Sequence, residues 1–428
     1  MTVPTLPDDT ANAVGSATIT PAGRLAAAPA WARGMAYASI GLIVMSLVRV
    51  VSGADDLTSS GTVGATLRLA VPIAMAGLGG IFAERVGVVN IGLEGMMILG
   101  TWFGAWGAWQ FGPWTGIAVG MIGGAVGGLI HAVATVTFNV DHIISGVAVN
   151  ILAAGLARYL SVVAYDSESG GGATQSPPRK GEIATITVPG VSSGLKGLED
   201  RGWFLISDLA GVIRGVTTNL SLATLLAAMI LVASSWLLWK TRFGLRLRSI
   251  GENPYAAESL GVKVISIKYA GVMISGACAG FGGAFLAVVQ ASIYREGQTA
   301  GRGFIGLATM IFGNWNPGGL AFGSLLFGYS DALQLRSPDA VPALFLLVSI
   351  LCLALAVRHV SKGRNVQAAI TLVAGAGFAV LYATVDQIPS SLVYCTPYVV
   401  TLVVLATASQ RLRPPAAAGR PYRRGEAH

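Results

Sequence analysis

The sequence predicts an all-α, polytopic membrane protein of about 10–12 transmembrane helices, built from inverted repeats and broken helices. Three observations carry that expectation. Hydrophobic residues fill 53% of the 428 positions and charged residues only 11%, and mean hydropathy is +0.66. Apolar runs of about 20 residues, the length that crosses a bilayer, follow one another along the chain. The Lys and Arg residues sit mostly in the short segments between those runs. Despite a net charge of +8, they therefore read as topology signals and not as a nucleic-acid surface.

Residues 1–34 form an N-terminal segment, expected in the cytoplasm, rich in Pro, Ala, Thr and Asp and without an early apolar core. No cleaved signal peptide is evident, so the first apolar run is expected to stay as a membrane helix. The first transmembrane half covers 35–164. Its first run, 35–51, follows Arg24 and Arg33 and precedes Asp55 and Asp56, which sets the N-terminus inside. Runs 67–83 and 88–109 come next, with the polar pair Glu84 and Arg85 between them. Run 114–138 carries Gly116, Gly120, Gly124 and Gly128 at intervals of four, a stripe that lets another helix backbone approach closely. Run 143–164 completes the half.

Residues 165–218 change character, with three glycines at 170–172, Pro177–Pro178 and an alternating stretch at 183–188 that reads as a strand. The inside–outside count places this insert outside the cell, either as a passive loop or as a receiving surface for an external binding protein. The second transmembrane half, 219–410, starts with run 220–239 and turns through the basic loop 240–268 before run 269–290. Residues 303–315 are too short to cross as one straight helix and end at Asn316-Pro317, so they read as a half helix. Runs 320–335, 341–357, 366–384 and 392–409 follow, and a basic tail, 411–428, ends the chain. With an even number of spans both termini lie in the cytoplasm.

A faint repeat relates the halves. Ala76-Gly77-Leu78-Gly79-Gly80 is echoed by Ala279-Gly280-Phe281-Gly282-Gly283, and Ile91-Gly92-Leu93 by Ile305-Gly306-Leu307. The topology count gives the two copies opposite orientations, as in transporters whose substrate site lies at the repeat interface.

Several polar residues are candidates for a pathway. Asn90 and Glu94 are four apart and would share a helix face, and a carboxylate in an apolar span either serves a site or has a structural partner. Asn150, Asn314 and Trp315 could join them in recognising a neutral polar solute. Gly301-Arg302-Gly303-Phe304-Ile305-Gly306 matches GxGxxG, but it lacks the strand and acidic residue of a dinucleotide site. Its glycines are instead expected to unwind the chain and expose backbone groups to a cavity. Cys278, Cys352 and Cys395 lie singly in apolar runs, which suggests neither a disulfide framework nor a metal site. His131 and His142 are isolated, no Gly-Lys dipeptide is available for a P-loop, and no HExxH occurs. Catalysis and a cofactor are therefore not expected.

In the loop 240–268, Lys240, Arg242, Arg246 and Arg248 mark a cytoplasmic location. Asn253 is a suitable N-cap, Pro254 fits the first helical position and Gly261 can supply the stop, giving a short helix. Ala256 and Ala257 would let another protein approach, with Tyr255 and Leu260 offering apolar contact. A partner surface and a solvated turn are both open on these residues alone.

Together, ERVGVVNIGLEGMMILG at 84–100, IGENPYAAESLGV at 250–262 and AGRGFIGLATMIFGNWNPGG at 300–319 resemble permease subunits of bacterial ABC importers. More narrowly, they resemble the nucleoside-type permeases that work with basic-membrane-protein lipoproteins, relatives of the branched-chain amino acid and ribose permeases. The resemblance covers roughly residues 67–335. It implies a multi-pass bacterial cell-membrane subunit that pairs with a second, non-identical permease, two cytosolic ATPases and an extracytoplasmic lipoprotein. It also implies that Glu252, Asn253, Pro254, Tyr255, Ala256, Ala257, Glu258 and Gly261 form the coupling helix that docks on an ATPase. The expected function is ATP-driven passage of a nucleoside or similar small polar solute. An ion-coupled secondary transporter is the alternative, with Glu94 as its ion-site candidate, and an integral membrane enzyme ranks third.

Overall fold

The computed structural model describes residues 30–385, 412–423 and 425. The expected run 392–409 and the segment 1–29 lie outside the described residues. In chain order the helices are α1 (Ala30–Ser52), α2 (Ser60–Glu84), α3 (Leu93–Phe111), α4 (Pro113–Ala132), α5 (His142–Tyr165), α6 (Val191–Glu199), α7 (Ile206–Thr217) and α8 (Leu222–Lys240). They continue as α9 (Arg242–Glu252), α10 (Pro254–Ser259), α11 (Val264–Ala284), α12 (Arg302–Phe312), α13 (Pro317–Arg336), α14 (Ala343–Val360) and α15 (Asn365–Thr384). Helices α4 and α11 each end in a widened π turn, Val133–Thr137 and Phe285–Gln290. The protein is an all-α polytopic membrane protein. Among the described residues, 8 helices are long and apolar enough to cross a membrane. Helices α3 and α13, with 19 and 20 residues, pack into the same bundle.

Most helix starts are written in the sequence. Ser59, Asp141 and Ser221 accept backbone N–H groups at the first turns of α2, α5 and α8. Asn316 and Asn253 do the same for α13 and α10, each followed by a proline that has no N–H to leave unpaired. Between helices 165 and 222 the chain is not one loop with a strand. Of the stretch 183–188 only Thr185–Ile186 forms a strand, pairing antiparallel with Leu220–Ser221, and α6 and α7 fold beside it. Their amphipathic patterns are short and glycine-interrupted, so they give weak periodicity.

Two helices form the hub. Within their most apolar windows α2 is 89% buried and α11 78%, whereas the peripheral α1 and α15 are 17% and 11% buried. Helix α2 packs on α12 and α13, while α11 packs on α3 and α4. Each repeat's first helix is thus clasped by the second and third helices of the other repeat. Gly79 lies against Ser275 and Gly282 against Pro72, so α2 and α11 run antiparallel, as two copies of opposite topology must. The glycine stripe of α4 faces α11. A Cβ on Gly124 would lie 2.2 Å from the Gly276 carbonyl oxygen, and one on Gly276 would lie 2.2 Å from that of Gly124. Only glycine permits this backbone contact.

One backbone defect is repaired across the hub. Pro72, inside α2, has no N–H for the carbonyl four residues back. That carbonyl, of Arg68, accepts the Gln290 side-chain amide at 2.9 Å from the end of α11.

Candidate translocation seam and coupling surface

The turn between α2 and α3 reaches into the repeat interface. Asn90 belongs to this turn, because α3 starts only at Leu93. The expected helical face shared by Asn90 and Glu94 is therefore not formed. Asn90 is fully buried. Its amide donates to Ser275 Oγ of α11 at 2.9 Å, and its Oδ1 has no hydrogen-bond partner among the described residues.

Glu94 sits in the first turn of α3 and is also buried. Its Oε1 accepts the Gly301 N–H at 2.9 Å and its Oε2 the Gly303 N–H at 2.7 Å. These are free donors at the start of α12, where the helix dipole favours an anion. A Cβ on Gly303 would lie 2.6 Å from Glu94 Cα, so a side chain there would push α12 off α3. The glycines of the GxGxxG match therefore do not open the chain to a cavity. Gly301 takes the left-handed conformation, φ 75°, that starts α12, and Gly303 and Gly306 lie against α3 and α2.

Asn150 of α5 locks the same turn from outside. Its Oδ1 accepts the Gly95 N–H at 2.7 Å and its amide donates to the Ile91 carbonyl at 3.1 Å. Asn90, Glu94 and Asn150 thus surround the start of α3.

Asn314 and Trp315 lie elsewhere. They follow the C-terminus of the 11-residue α12, about 16 Å from its Glu94-capped start at 1.5 Å per residue. Both hold positive φ, 53° and 54°. The Trp315 indole N–H donates to the buried Glu84 carboxylate, and Arg85 donates to the Trp315 carbonyl at 2.9 Å. Arg85 and Arg248 both lie over the Trp239 ring, 5.5 and 5.6 Å from its centre. The five pathway candidates therefore form two groups at opposite ends of the half helix. Ser275, Glu84 and Arg85 belong with them. The polar pair at 84–85 was visible in the sequence, whereas Ser275 carries no local signal.

The loop between α8 and α11 holds two helices. The basic stretch forms α9, whose Leu247 and Ile250 turn inward. Helix α10 follows, with the Asn253 side chain accepting the Ala256 N–H at 3.0 Å and Gly261 ending it at φ 78°. Its faces differ from the simple small-residue surface expected. Ala256 is exposed and Leu260 is 84% exposed, but Ala257 is only 3% exposed and packs with Ile250, Val264 and Tyr422. Glu252 and Asn253 are exposed, Pro254 is buried, and Tyr255 and Glu258 are half-buried.

Tyr422 comes from the C-terminal tail, which knits this end together. The Arg413 N–H donates to Asn314 Oδ1 at 2.8 Å, the Ala417 N–H to the Gly251 carbonyl at 2.8 Å and the Gly419 N–H to the Gly87 carbonyl at 3.2 Å. The Tyr255 and Tyr422 rings stand 5.3 Å apart.

Two inverted repeats that clasp each other, the second with a half helix whose two ends carry buried polar residues, form an arrangement found in membrane transporters. Residues 62–357 match the family described as branched-chain amino acid transport system / permease component, and the chain belongs to that family. It is 37% identical over 290 residues to the nucleoside ABC transporter permease protein NupC of Lactococcus lactis, covering 64% of this chain and 84% of that one. Identity to the guanosine ABC transporter permease protein NupQ of Bacillus subtilis is 36% over 282 residues, 63% of this chain and 81% of the relative. A putative glucose ABC transporter permease protein of Haloferax volcanii, TsgC13, is 32% identical over 288 residues, 67% and 80% of the two chains. The same Lactococcus and Bacillus strains also hold more distant relatives, NupB at 22% and NupP at 27% identity. No solved structure matches this chain.

Proposed function

We propose that this chain is the membrane subunit of an ATP-driven importer in the bacterial cell membrane and forms the pathway for a nucleoside or similar small polar solute. The observation that carries the reading is its similarity to NupC and NupQ over more than four-fifths of their lengths. The solute would pass along the seam between the repeats. There Asn90, held by Ser275, keeps an acceptor that could take an N–H or O–H from a base or sugar.

The partners follow from the same reading. A cytosolic ATPase would meet the exposed side of α10, around Ala256 and Leu260, with Glu252, Asn253 and Tyr255 beside them. ATP hydrolysis then lies on that separate chain. The paired Nup relatives favour a second, non-identical permease subunit, and an extracytoplasmic lipoprotein would deliver the solute. The basic residues of α9 favour a cytoplasmic loop and cytoplasmic termini. An ion-coupled mechanism gains no support from Glu94, because both its carboxylate oxygens are taken by backbone N–H groups.

The substrate is tested by uptake of labelled guanosine and uridine in cells carrying the whole transporter, with competition by unlabelled nucleosides, glucose and leucine. Competition by nucleosides alone is the expected result. Competition by glucose or leucine with no effect of nucleosides would overturn the substrate class.

A further inference from the structure

The insert between α5 and α8 carries an apolar face that the transport reading does not use. In α7, Ile206, Leu209, Ile213 and Val216 are all exposed. At 100° per residue they fall within an arc of about 80°. Ser207, Asp208, Gly211 and Gly215 lie on the opposite side and are buried. Trp203 and Phe204, just before the helix, are exposed too. The two charged residues of α7 are turned away from the apolar arc, Asp208 to Arg49 and Arg214 to Glu199 at 2.7 Å.

The depth of α7 is set by where it docks. Asp208 accepts from Ser46 and Thr58 and pairs with Arg49 at 2.7 Å, and the Leu205 N–H donates to Ser46 Oγ at 2.9 Å. Ser46 lies six residues before the end of the membrane helix α1, which is about 9 Å below that end at 1.5 Å per residue. Beside this point α1 itself exposes Ile43, Leu47 and Val50. The apolar arc of α7 is therefore level with a stretch of α1 that exposes apolar side chains.

From this placement we infer that α7, with Trp203 and Phe204, lies in the plane of the membrane as an interfacial helix, its apolar arc seated among lipid headgroups and upper acyl chains. Aromatic residues favour that zone, and interfacial helices sit about 5–10 Å into the headgroup boundary. The insert is then a lipid-anchored collar at the end of α1 and α2. A lipoprotein-binding surface would instead need this face open to water.

The test places a fluorophore at Leu209→Cys or Ile213→Cys, and at the charged, exposed Glu182→Cys as an aqueous reference, in the cysteine-free full-length protein. The protein is held in nanodiscs of phosphatidylcholine and phosphatidylglycerol with no binding protein present. Parallax quenching by lipid-borne nitroxides is expected to place both α7 labels about 5–10 Å inside the headgroup boundary, with little quenching by aqueous iodide. Strong iodide quenching and no lipid quenching at both positions would overturn the inference. So would shielding that develops only on adding the extracytoplasmic binding protein, which would assign the face to that protein.

Discussion

Glu94 of α3 accepts the backbone N–H of Gly303 at 2.7 Å, so a carboxylate from one repeat caps the half helix of the other. The same carboxylate takes the Gly301 N–H, and Gly303 has no room for a side chain beside it. The half helix α12 is thereby fixed against α3 by charge, hydrogen bonds and close backbone contact at one point. Truncation by Glu94→Ala should strand the buried Gly303 N–H, at about 1–3 kcal/mol for an unsatisfied buried group, and free the part-buried Gly301 N–H as well. Glu94→Gln keeps an acceptor and should lose less. A clearly lower melting temperature for the Ala variant, with the Gln variant between it and the parent, is the expected order. Equal stability of all three would remove the capping role.

The crossing of α4 and α11 should tolerate nothing larger than glycine. Gly276→Val places atoms into the Gly124 carbonyl and should exceed the about 1–3 kcal/mol of ordinary overpacking, leaving little folded protein in detergent. Gly155→Ala is the control, since a Cβ there meets nothing within 4 Å, and it should fold at least as well. Normal folded yield of Gly276→Val, measured by size-exclusion chromatography, would contradict the close crossing.

On α10 the two neighbouring alanines should behave differently. Ala256→Arg adds charge to an exposed position, where surface changes usually stay within about 0.5 kcal/mol, so it should leave the fold intact while stopping ATP-driven uptake. Ala257→Arg buries a cation against Ile250 and Tyr422 and should loosen the loop itself. Thermal stability and co-purification with the ATPase separate the two, and full uptake by Ala256→Arg would dismiss α10 as the docking element.

Acid should release the insert from α1 and α2. Burial raises the carboxyl of Glu199, but the Ser60 N–H and Arg214 outweigh it, and burial of Asp208 is outweighed by Ser46, Thr58 and Arg49; both pKa values end below the ordinary range. A depressed carboxyl stabilises the docked state above its unfolded pKa, about 4, and that contribution is lost as pH falls through the lower folded value. Hydrogen exchange of residues 191–217, corrected for intrinsic rates, should show protection that holds at neutral pH and fades below about 4. Asp208→Asn should weaken it already at neutral pH. Protection unchanged by acid would contradict this docking.

Much of the architecture was legible because membrane helices announce themselves by length. The runs that became α2, α5, α8 and α15 are long and apolar, and 303–315 was visibly too short before Asn316-Pro317. What escaped was set by tertiary contact. Helix α9 looked like a charged loop, although Phe243, Leu247 and Ile250 already sat at helical spacing. The tail from 412 has no periodicity, and its place is revealed by tertiary contact alone, through its bonds to Gly87, Gly251 and Asn314 and the packing of Tyr422. Asn90 and Glu94 share no helix face, because Asn90 lies in the turn before α3 begins at Leu93. Each therefore meets its own partner on the other repeat, Ser275 for Asn90 and the start of α12 for Glu94.

The most direct measurement is nucleoside uptake by inside-facing vesicles that hold this chain with its second permease, ATPases and binding lipoprotein. Uptake should require ATP on the ATPase side and should continue after ionophores collapse the proton and sodium gradients. Uptake driven by either gradient without ATP would contradict the account.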